Sequence, residues 1–295
     1  MANRIIEISN PAHLSLRKEQ LIIKIDGSEA ASIPIEDMAM LILNNPAITF
    51  SQAIISKCLE LNVGLVITNE KRMPAMILQP LDGHSIHTKI LRQQIEVSLP
   101  RKKQLWQVLV RAKIRQQAKV LSRLGLDSRD IDALAARVRS GDPDNLEAQA
   151  ARLYWPRLFG QKFRRNQQSS GINCHLNYGY AVLRAAVARA VVASGMHPAL
   201  SVQHKNQFNA FCLVDDLIEP LRARVDLQIA SMPDIWMDQE EPTVESKRYI
   251  LDILTQESLL AGQSVPLLVG LERYAASFRS ALIGESMTEL QIPSL

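Results

Sequence analysis

The chain has 295 residues, 47% hydrophobic and 22% charged, with a net charge of +4, enough for one large domain or two ordinary ones with cores of their own. No run approaches the roughly 18 uninterrupted apolar residues of a membrane span, and MANRIIEISN lacks the charged-then-apolar order of a secretory leader, so the sequence reads as cytoplasmic. Cys58, Cys174 and Cys212 are odd in number and far apart, which excludes a disulfide framework or a zinc-ligand spacing and leaves them as small apolar residues.

From Arg4 to Leu81 the sequence is written in short β-like runs: RIIEIS, HLSL, QLIIKID, ASIPI, MAMLILN, VGLVITN and AMILQ. Turn chemistry falls between them at Asn10-Pro11, Asp26-Gly27, Asn44-Asn45-Pro46 and Asp82-Gly83. FSQAIISKCLELN is the exception, because Ala53, Ile54, Cys58 and Leu61 mark a helical face and Ser51 is placed to cap it. No cluster of chemically active side chains appears here. Residues 1–83 therefore read as a β-rich structural or dimerisation domain.

After Gly83 the period changes to 3.6. It predicts helices around 85–98, 101–124, 128–139, 144–160, 177–194, 207–230, 244–260 and 266–283, with Gly and Pro at the breaks. The fold class is α+β, a small β-rich N-terminal domain followed by a larger, mostly α-helical domain over residues 84–295. Pro220 lies inside a predicted helix, where it removes a backbone hydrogen bond and kinks the chain after Glu219. The tail beyond Gly284 is expected to fray.

Charge is unevenly spread. Lys plus Arg stands at 7 against 9 Asp plus Glu in residues 1–88, 18 against 7 in 89–165, and 9 against 14 in 166–295. Within the basic block, Arg101, Lys102, Lys103, Arg111, Lys113, Arg115, Lys119 and Arg123 recur on a helical pattern, and Lys162, Arg164 and Arg165 form a second cluster. Such a stripe is the electrostatic footprint of phosphate binding, although a solvated helix face has the same composition.

The segment SVQHKNQFNAFCLVDDLIEPLR, residues 201–222, gathers acids on one side of an otherwise apolar helix. Taking Asp215 as zero at about 100° per residue, Asp216 falls at about 100° and Glu219 at about 40°, opposite Leu213, Val214, Leu217, Ile218 and Leu221. Like charges three and four apart repel, so this side needs water, a basic partner such as Arg222, or a cation. His204 precedes it by a short polar segment and is expected to fold back over it. In DNLEAQAARLYWPRLF, Asp142 or Asp144 caps a helix with Glu147 in its early turns. Taken alone, that Glu is a favourable charge at a helix N-terminus.

Glu147-x-x-Ala150-Ala151-x-x-Tyr154, then LNYGYAVL at 176–183, then His204 with DDLIEPLRARVD at 215–226, resemble the ordered signatures of the CRISPR-associated integrase family known as Cas one. KKQLWQVLVRAKIRQQAKVL at 102–121 is similar to the form found in type II systems. The resemblance spans nearly the whole chain. It implies a metal-dependent endonuclease and strand transferase that inserts short DNA fragments, or spacers, into a repeat array. It also implies a homodimer, a small dimeric CRISPR-associated partner, and the type II effector nuclease as a further associate. By position, Glu147, His204 and Glu219 match the metal ligands, and Asp216 a further catalytic acid. Asp215 and Asp216 are adjacent, which leaves open which one supports the metal shell. His175 and His197 lie near family motifs but off the ligand position.

Two carboxylates and an imidazole with open coordination positions suit Mg²⁺ or Mn²⁺ rather than structural zinc. The reaction is a transesterification in which a DNA 3′-hydroxyl attacks a phosphodiester and needs no covalent protein intermediate, so no Ser, Tyr or Cys nucleophile is assigned. The carboxylates are expected to repel one another and raise at least one pKa unless a metal is bound. Lys162, Arg164, Arg165, Lys205, Arg222, Lys247 and Arg248 are the candidate phosphate contacts. A non-catalytic DNA-binding scaffold and a general metal nuclease of branched DNA are the alternatives.

Overall fold

A computed structural model describes residues 4–70, 73–78, 80, 84–166, 168–284 and 290–295. The chain divides into two compact units, residues 1–83 and 84–295. The Asp82-Gly83 turn lies outside the described residues.

The first unit runs β1 (Arg4–Ile8), β2 (His13–Arg17), β3 (Gln20–Ile25), β4 (Ser28–Pro34), β5 (Met38–Leu43), β6 (Thr49–Phe50), α1 (Gln52–Glu60), β7 (Gly64–Thr68) and β8 (Pro74–Leu78). Its strands form two sheets, ordered β1-β5-β7-β8 and β4-β3-β2-β6. β5 pairs in parallel with β1 and β7, and all six of its residues are buried, which is why MAMLIL reads as a continuous apolar run rather than an alternation. Leu14, Leu21, Ile35, Leu41, Ile54, Cys58 and Leu65 belong to the core between the elements. Asp26 and Gly27, at φ +49° and +77°, close the β3–β4 hairpin with the positive φ pair such a two-residue turn requires. Lys18 and Glu19 do the same for β2–β3 at φ +49° and +59°, without a glycine to announce it. Ser51 stands at the N-cap of α1, but its hydroxyl makes no cap bond.

The second unit runs α2 (His87–Glu96), α3 (Leu99–Arg123), α4 (Arg129–Arg137), α5 (Leu146–Phe159), α6 (Ile172–Ala193), α7 (Cys212–Ile218), α8 (Arg222–Ala230), α9 (Val244–Leu251), β9 (Glu257–Leu260), β10 (Gln263–Pro266) and α10 (Leu267–Leu282). Pro100 sits in the first turn of α3 behind the Ser98 cap, where its missing N–H costs nothing. Pro220 has the expected effect. A tight turn over Glu219–Leu221 separates α7 from α8.

Two expectations fail. The helix drawn to residue 260 ends near Leu254, and β9 and β10 pair as an antiparallel hairpin about Ala261 and Gly262 at φ +49° and +81°. Burial alternates along Glu257–Leu260, but Ser258 faces inward and Leu259 outward, so the residue types carry no matching alternation. The end of the tail is docked rather than frayed, since Ser294 exchanges both backbone hydrogen bonds with Leu259 and its carbonyl accepts from Arg224.

α6 crosses close to α8 and α9 at Gly179. A Cβ there would lie 2.5 Å from Val225 Cγ1 and 3.2 Å from Ile250 Cγ2. This approach seats the LNYGYAVL segment against α8, where Tyr180 meets Asp226.

Candidate active site

α5 brings Glu147 to the site because its start is fixed by Asp142, whose carboxylate accepts from Leu146 N at 2.9 Å and Glu147 N at 3.0 Å. These are two of the donors a helix N-terminus leaves unmatched. Asp144, the other cap candidate, pairs instead with Arg139. Leu146, Ala150 and Tyr154 face the core.

The three acids of the α7 segment part company. Asp215 binds Arg184 Nε at 2.6 Å and accepts from Asn209 Nδ2 at 2.6 Å. Asp216 has no exposed surface and accepts four hydrogen bonds, from the backbone N–H groups of Val202, Gln203 and His204 at 2.7, 3.1 and 3.1 Å and from His204 Nδ1 at 2.7 Å. His204 thus does fold back onto the acidic side, and Asp216 is the acid that receives it. That hydrogen bond raises the His204 pKa against the effect of burial. The ring lies edge-on to Trp106 of α3, with centroids 5.8 Å apart.

Glu219, almost wholly buried, turns toward α3. Lys113 Nζ stands 2.6 Å from Glu219 Oε2 and 2.5 Å from Glu147 Oε1, so one ammonium bridges both carboxylates. Arg222 Nε lies 3.0 Å from Glu219 Oε1 as an ion pair, but its angle does not make a hydrogen bond. Burial alone would raise the Glu219 pKa, but Arg222 and Lys113 together bring it below its ordinary value. Burial likewise opposes charge on Lys113, and the two glutamates outweigh it. The expected mutual repulsion is therefore absent at Glu219 and Asp215, whose pKa values are both lowered, because each carboxylate has its own cation.

A cavity of about 210 Å³ opens beside this pair, lined by Lys113, Trp155, Arg165, Tyr180, Glu219 and Arg222 among others. The guanidinium groups of Arg165 and Arg222 lie over the Tyr180 ring at 5.3 and 4.8 Å. Arg165 is further held by Asn173 and Asn177. Beneath them, the Tyr180 and Tyr154 hydroxyls donate to the buried Asp226 carboxylate.

Burial pushes the Asp226 carboxyl up to about 6, against the pull of those hydroxyls and of Arg222. The folded chain then binds this proton more tightly than the unfolded one, and stability is lost as pH rises from 3.8 through about 6. At about 1.36 kcal/mol per pH unit the loss amounts to about 3 kcal/mol. Asp226→Asn is expected to remove it. Urea unfolding between about pH 4 and about pH 7.5 should show wild type losing ground to the variant, most of it by about pH 7.

Of the candidate ligands, the structure brings Glu147 and Glu219 to one cationic point and pins His204 through Asp216. Among the described residues, no group of three or more His, Cys, Asp or Glu stands close enough to hold a metal ion. The donor chemistry nonetheless fits a hard divalent cation, since two carboxylate oxygens already share one positive charge. Of the candidate phosphate contacts, Lys162, Arg164, Lys205 and Arg248 are exposed, and Arg165 and Arg222 line the cavity. Lys247 is corrected: it is buried with its ammonium 5.3 Å from the Tyr178 ring centroid, which takes it away from any DNA surface. Lys113 is corrected too, from the outward basic stripe to the interior of the site. Its place among Trp106, Leu109, Val110 and Gln117 at helical spacing was the available signal. Asp226 closes the DDLIEPLRARVD signature but was given no role there, and Trp155 carried no signal.

Residues 6–252 match the family model described as CRISPR associated protein Cas1. The chain is 36% identical over its full length, and 97% of the relative's, to a CRISPR-associated endonuclease Cas1 of Neisseria meningitidis serogroup C (strain 8013). Its fold is similar to a casposase bound to integration product, with TM-score 0.75 and 18% identity, covering 97% of this chain and 92% of that one. It is also similar to a chain of a partial Cas6-RT-Cas1–Cas2 complex, with TM-score 0.63 and 15% identity, covering 99% and 98%.

Proposed function

The chain belongs to the Cas1 family of CRISPR-associated proteins, and from that premise we propose that it is the strand-transferring subunit of spacer acquisition. It is an endonuclease and integrase that acts on DNA with a metal ion, and its catalytic residues lie in unit 84–295. The observation that carries this reading is the convergence of Glu147 and Glu219 on one cationic point at the mouth of a cavity lined by Arg165 and Arg222.

Glu147, Glu219 and His204 would hold Mg²⁺ or Mn²⁺. When bound, the ion favours the ionised form of a DNA 3′-hydroxyl and neutralises charge that builds on the attacked phosphate. Arg165 and Arg222, stacked on Tyr180, are positioned to hold a phosphate in line for attack. Asp216 fixes the imidazole by accepting from Nδ1, leaving Nε2 as the donor atom, the arrangement in which an outer carboxylate orients a histidine ligand. Asp216 is on this reading a positioning residue rather than a ligand. Lys162, Arg164, Lys205 and Arg248 extend the phosphate track over the surface.

Among its described residues the β-rich unit, residues 1–83, carries no cluster of metal-ligating side chains, and it serves dimerisation. The exposed Phe50 and Met76, on its β6 and β8 strands, are the side chains a second copy would cover. A Cas2-type small dimer completes the integration complex, and the type II effector nuclease is a further associate. No helix among the described residues is long and apolar enough to cross a membrane, and the proposed site of action is the cytoplasm.

The reading is tested by supplying short duplex DNA with and without free 3′-hydroxyl ends and a repeat-containing target, with either metal or a chelator. Joined products that need both the hydroxyl and the metal support it. Cleavage without joining would favour a general nuclease, and binding without chemistry a scaffold.

DNA affinity should fall steeply with salt. Each phosphate contact contributes about −0.9 to the slope of log affinity against log salt. Replacing both Arg164 and Arg165 by Ala is expected to make that slope shallower and to weaken binding to unrelated sequences alike. A filter-binding series across salt concentrations with the slope unchanged would place the contact surface elsewhere.

A further inference from the structure

We propose that Lys113 is an internal cation that a divalent metal ion must displace from Glu147 and Glu219, and that this exchange couples metal loading to DNA binding. The inference rests on the reading that these two glutamates hold the metal.

The first support is geometric. The Lys113 ammonium lies at 2.5 and 2.6 Å from one oxygen of each carboxylate, and its side chain is 14% exposed. A metal ion that sits between the same two oxygens would occupy the place Nζ now holds, so one must give way. The stem that carries the ammonium is a flexible chain of four carbons on the long, well-packed α3, which leaves the side chain as the part free to move.

The second support is a charge count. Two carboxylates at this point already face two cations, Lys113 and Arg222. A divalent ion added to this neutral group leaves two positive charges without partners in a poorly solvated place, which is costly. Moving the ammonium off the carboxylates relieves part of this excess at the metal position, and an anion arriving beside the displaced ammonium offsets more of it.

The adjoining cavity of about 210 Å³ provides the space, and its wall already includes Lys113 together with Arg165 and Arg222. An ammonium displaced into it joins two guanidinium groups. That crowd of like charges is favourable only when an anion sits among them, and a DNA phosphodiester is the anion the proposed reaction supplies. Metal and phosphate therefore each make room for the other. Such coupling is reciprocal, so the factor by which DNA tightens metal binding equals the factor by which metal tightens DNA binding.

A purely structural Lys113 predicts something else. Removing it would leave metal affinity unchanged or weaker, because the two glutamates would lose the bridge that aligns them.

The test is calorimetric titration of Mn²⁺ into the full chain, with and without a short duplex whose 3′ ends lack the hydroxyl, so that no reaction occurs. Wild type is expected to bind Mn²⁺ about tenfold more tightly when the duplex is present, within the usual range of coupling between two sites. Lys113→Met should bind Mn²⁺ about tenfold more tightly than wild type without DNA and respond less to the duplex. Lys113→Gln, one atom shorter than lysine, keeps a hydrogen-bonding end but no charge, and should show the tightening predicted for Lys113→Met even if the latter fails to fold. A folded variant whose Mn²⁺ affinity without DNA equals or falls below that of wild type overturns the proposal. Glu219→Gln in the same titration separates the two levels. Loss of Mn²⁺ binding there upholds the metal reading whatever Lys113 does, whereas wild-type binding overturns that reading and this proposal with it.

Discussion

Strand transfer by Glu219→Gln is expected to fall about 10²–10³-fold, on the scale of losing one contact to the charge that develops in the reaction. The substitution keeps the volume and removes the charge that Lys113 and Arg222 both use. Glu219→Ala should be worse behaved, because besides the charge it removes the side-chain volume and every polar atom that could still face Lys113 and Arg222 in a buried place. Glu147→Gln should match Glu219→Gln in activity with less effect on stability, since Glu147 is the more exposed of the pair at 25% against 6%. His204→Ala should lose transfer and keep its fold. Quantifying joined product over time, with DNA binding measured beside it, checks all of these. Near-normal joining by Glu219→Gln in both Mg²⁺ and Mn²⁺ would remove the central assignment.

Asp216→Ala is expected to cost about 3–5 kcal/mol, the range for breaking a buried charged network by deleting one partner. The carboxylate accepts from three successive backbone N–H groups and from the imidazole, and nothing replaces it inside the core. Each stranded N–H adds about 1–3 kcal/mol of unmet desolvation, reduced by whatever water enters. Asp216→Asn, which retains one carbonyl acceptor and adds a donor facing donors, should recover only part of it. Denaturant midpoints give the stability, and imidazole resonances of His204 give the displacement of the ring. A variant with unchanged midpoint and unshifted resonances would show that the loop holds its shape by itself.

Much of the layout was readable because it depends on short-range physics. The change to period 3.6 near residue 83 is a matter of where apolar side chains recur, and α3 and α6 followed from it, while β5 was legible as a continuous apolar run and α1 from its own helical face. The kink at Pro220 needed only the missing N–H. What escaped notice had weak local signals. β6 is two residues long, and the β9–β10 hairpin is hidden in a stretch whose leucines also suit a helix.

At the site, the resemblance to the Cas1 family pointed to Glu147, His204 and Glu219, but neither composition nor spacing said which acid faces which cation. Asp215 and Asp216 are neighbours in sequence and serve different partners only because Arg184 comes from α6 and His204 from the loop before α7. Lys113 was visible as a charge and misplaced as a surface one, since its inward direction is set by the acids that meet it from α5 and the turn after α7.

The tight crossing at Gly179 carries a consequence for how this chain can drift. Because Val225 and Ile250 fill the space a side chain would need, the three positions form one unit of selection rather than three. Alanine at 179 is harmful in the present background and becomes acceptable only after Val225 has shrunk. Shrinking Val225 first opens a void that itself costs stability. Each route thus passes through a less fit intermediate, and the order of substitution matters.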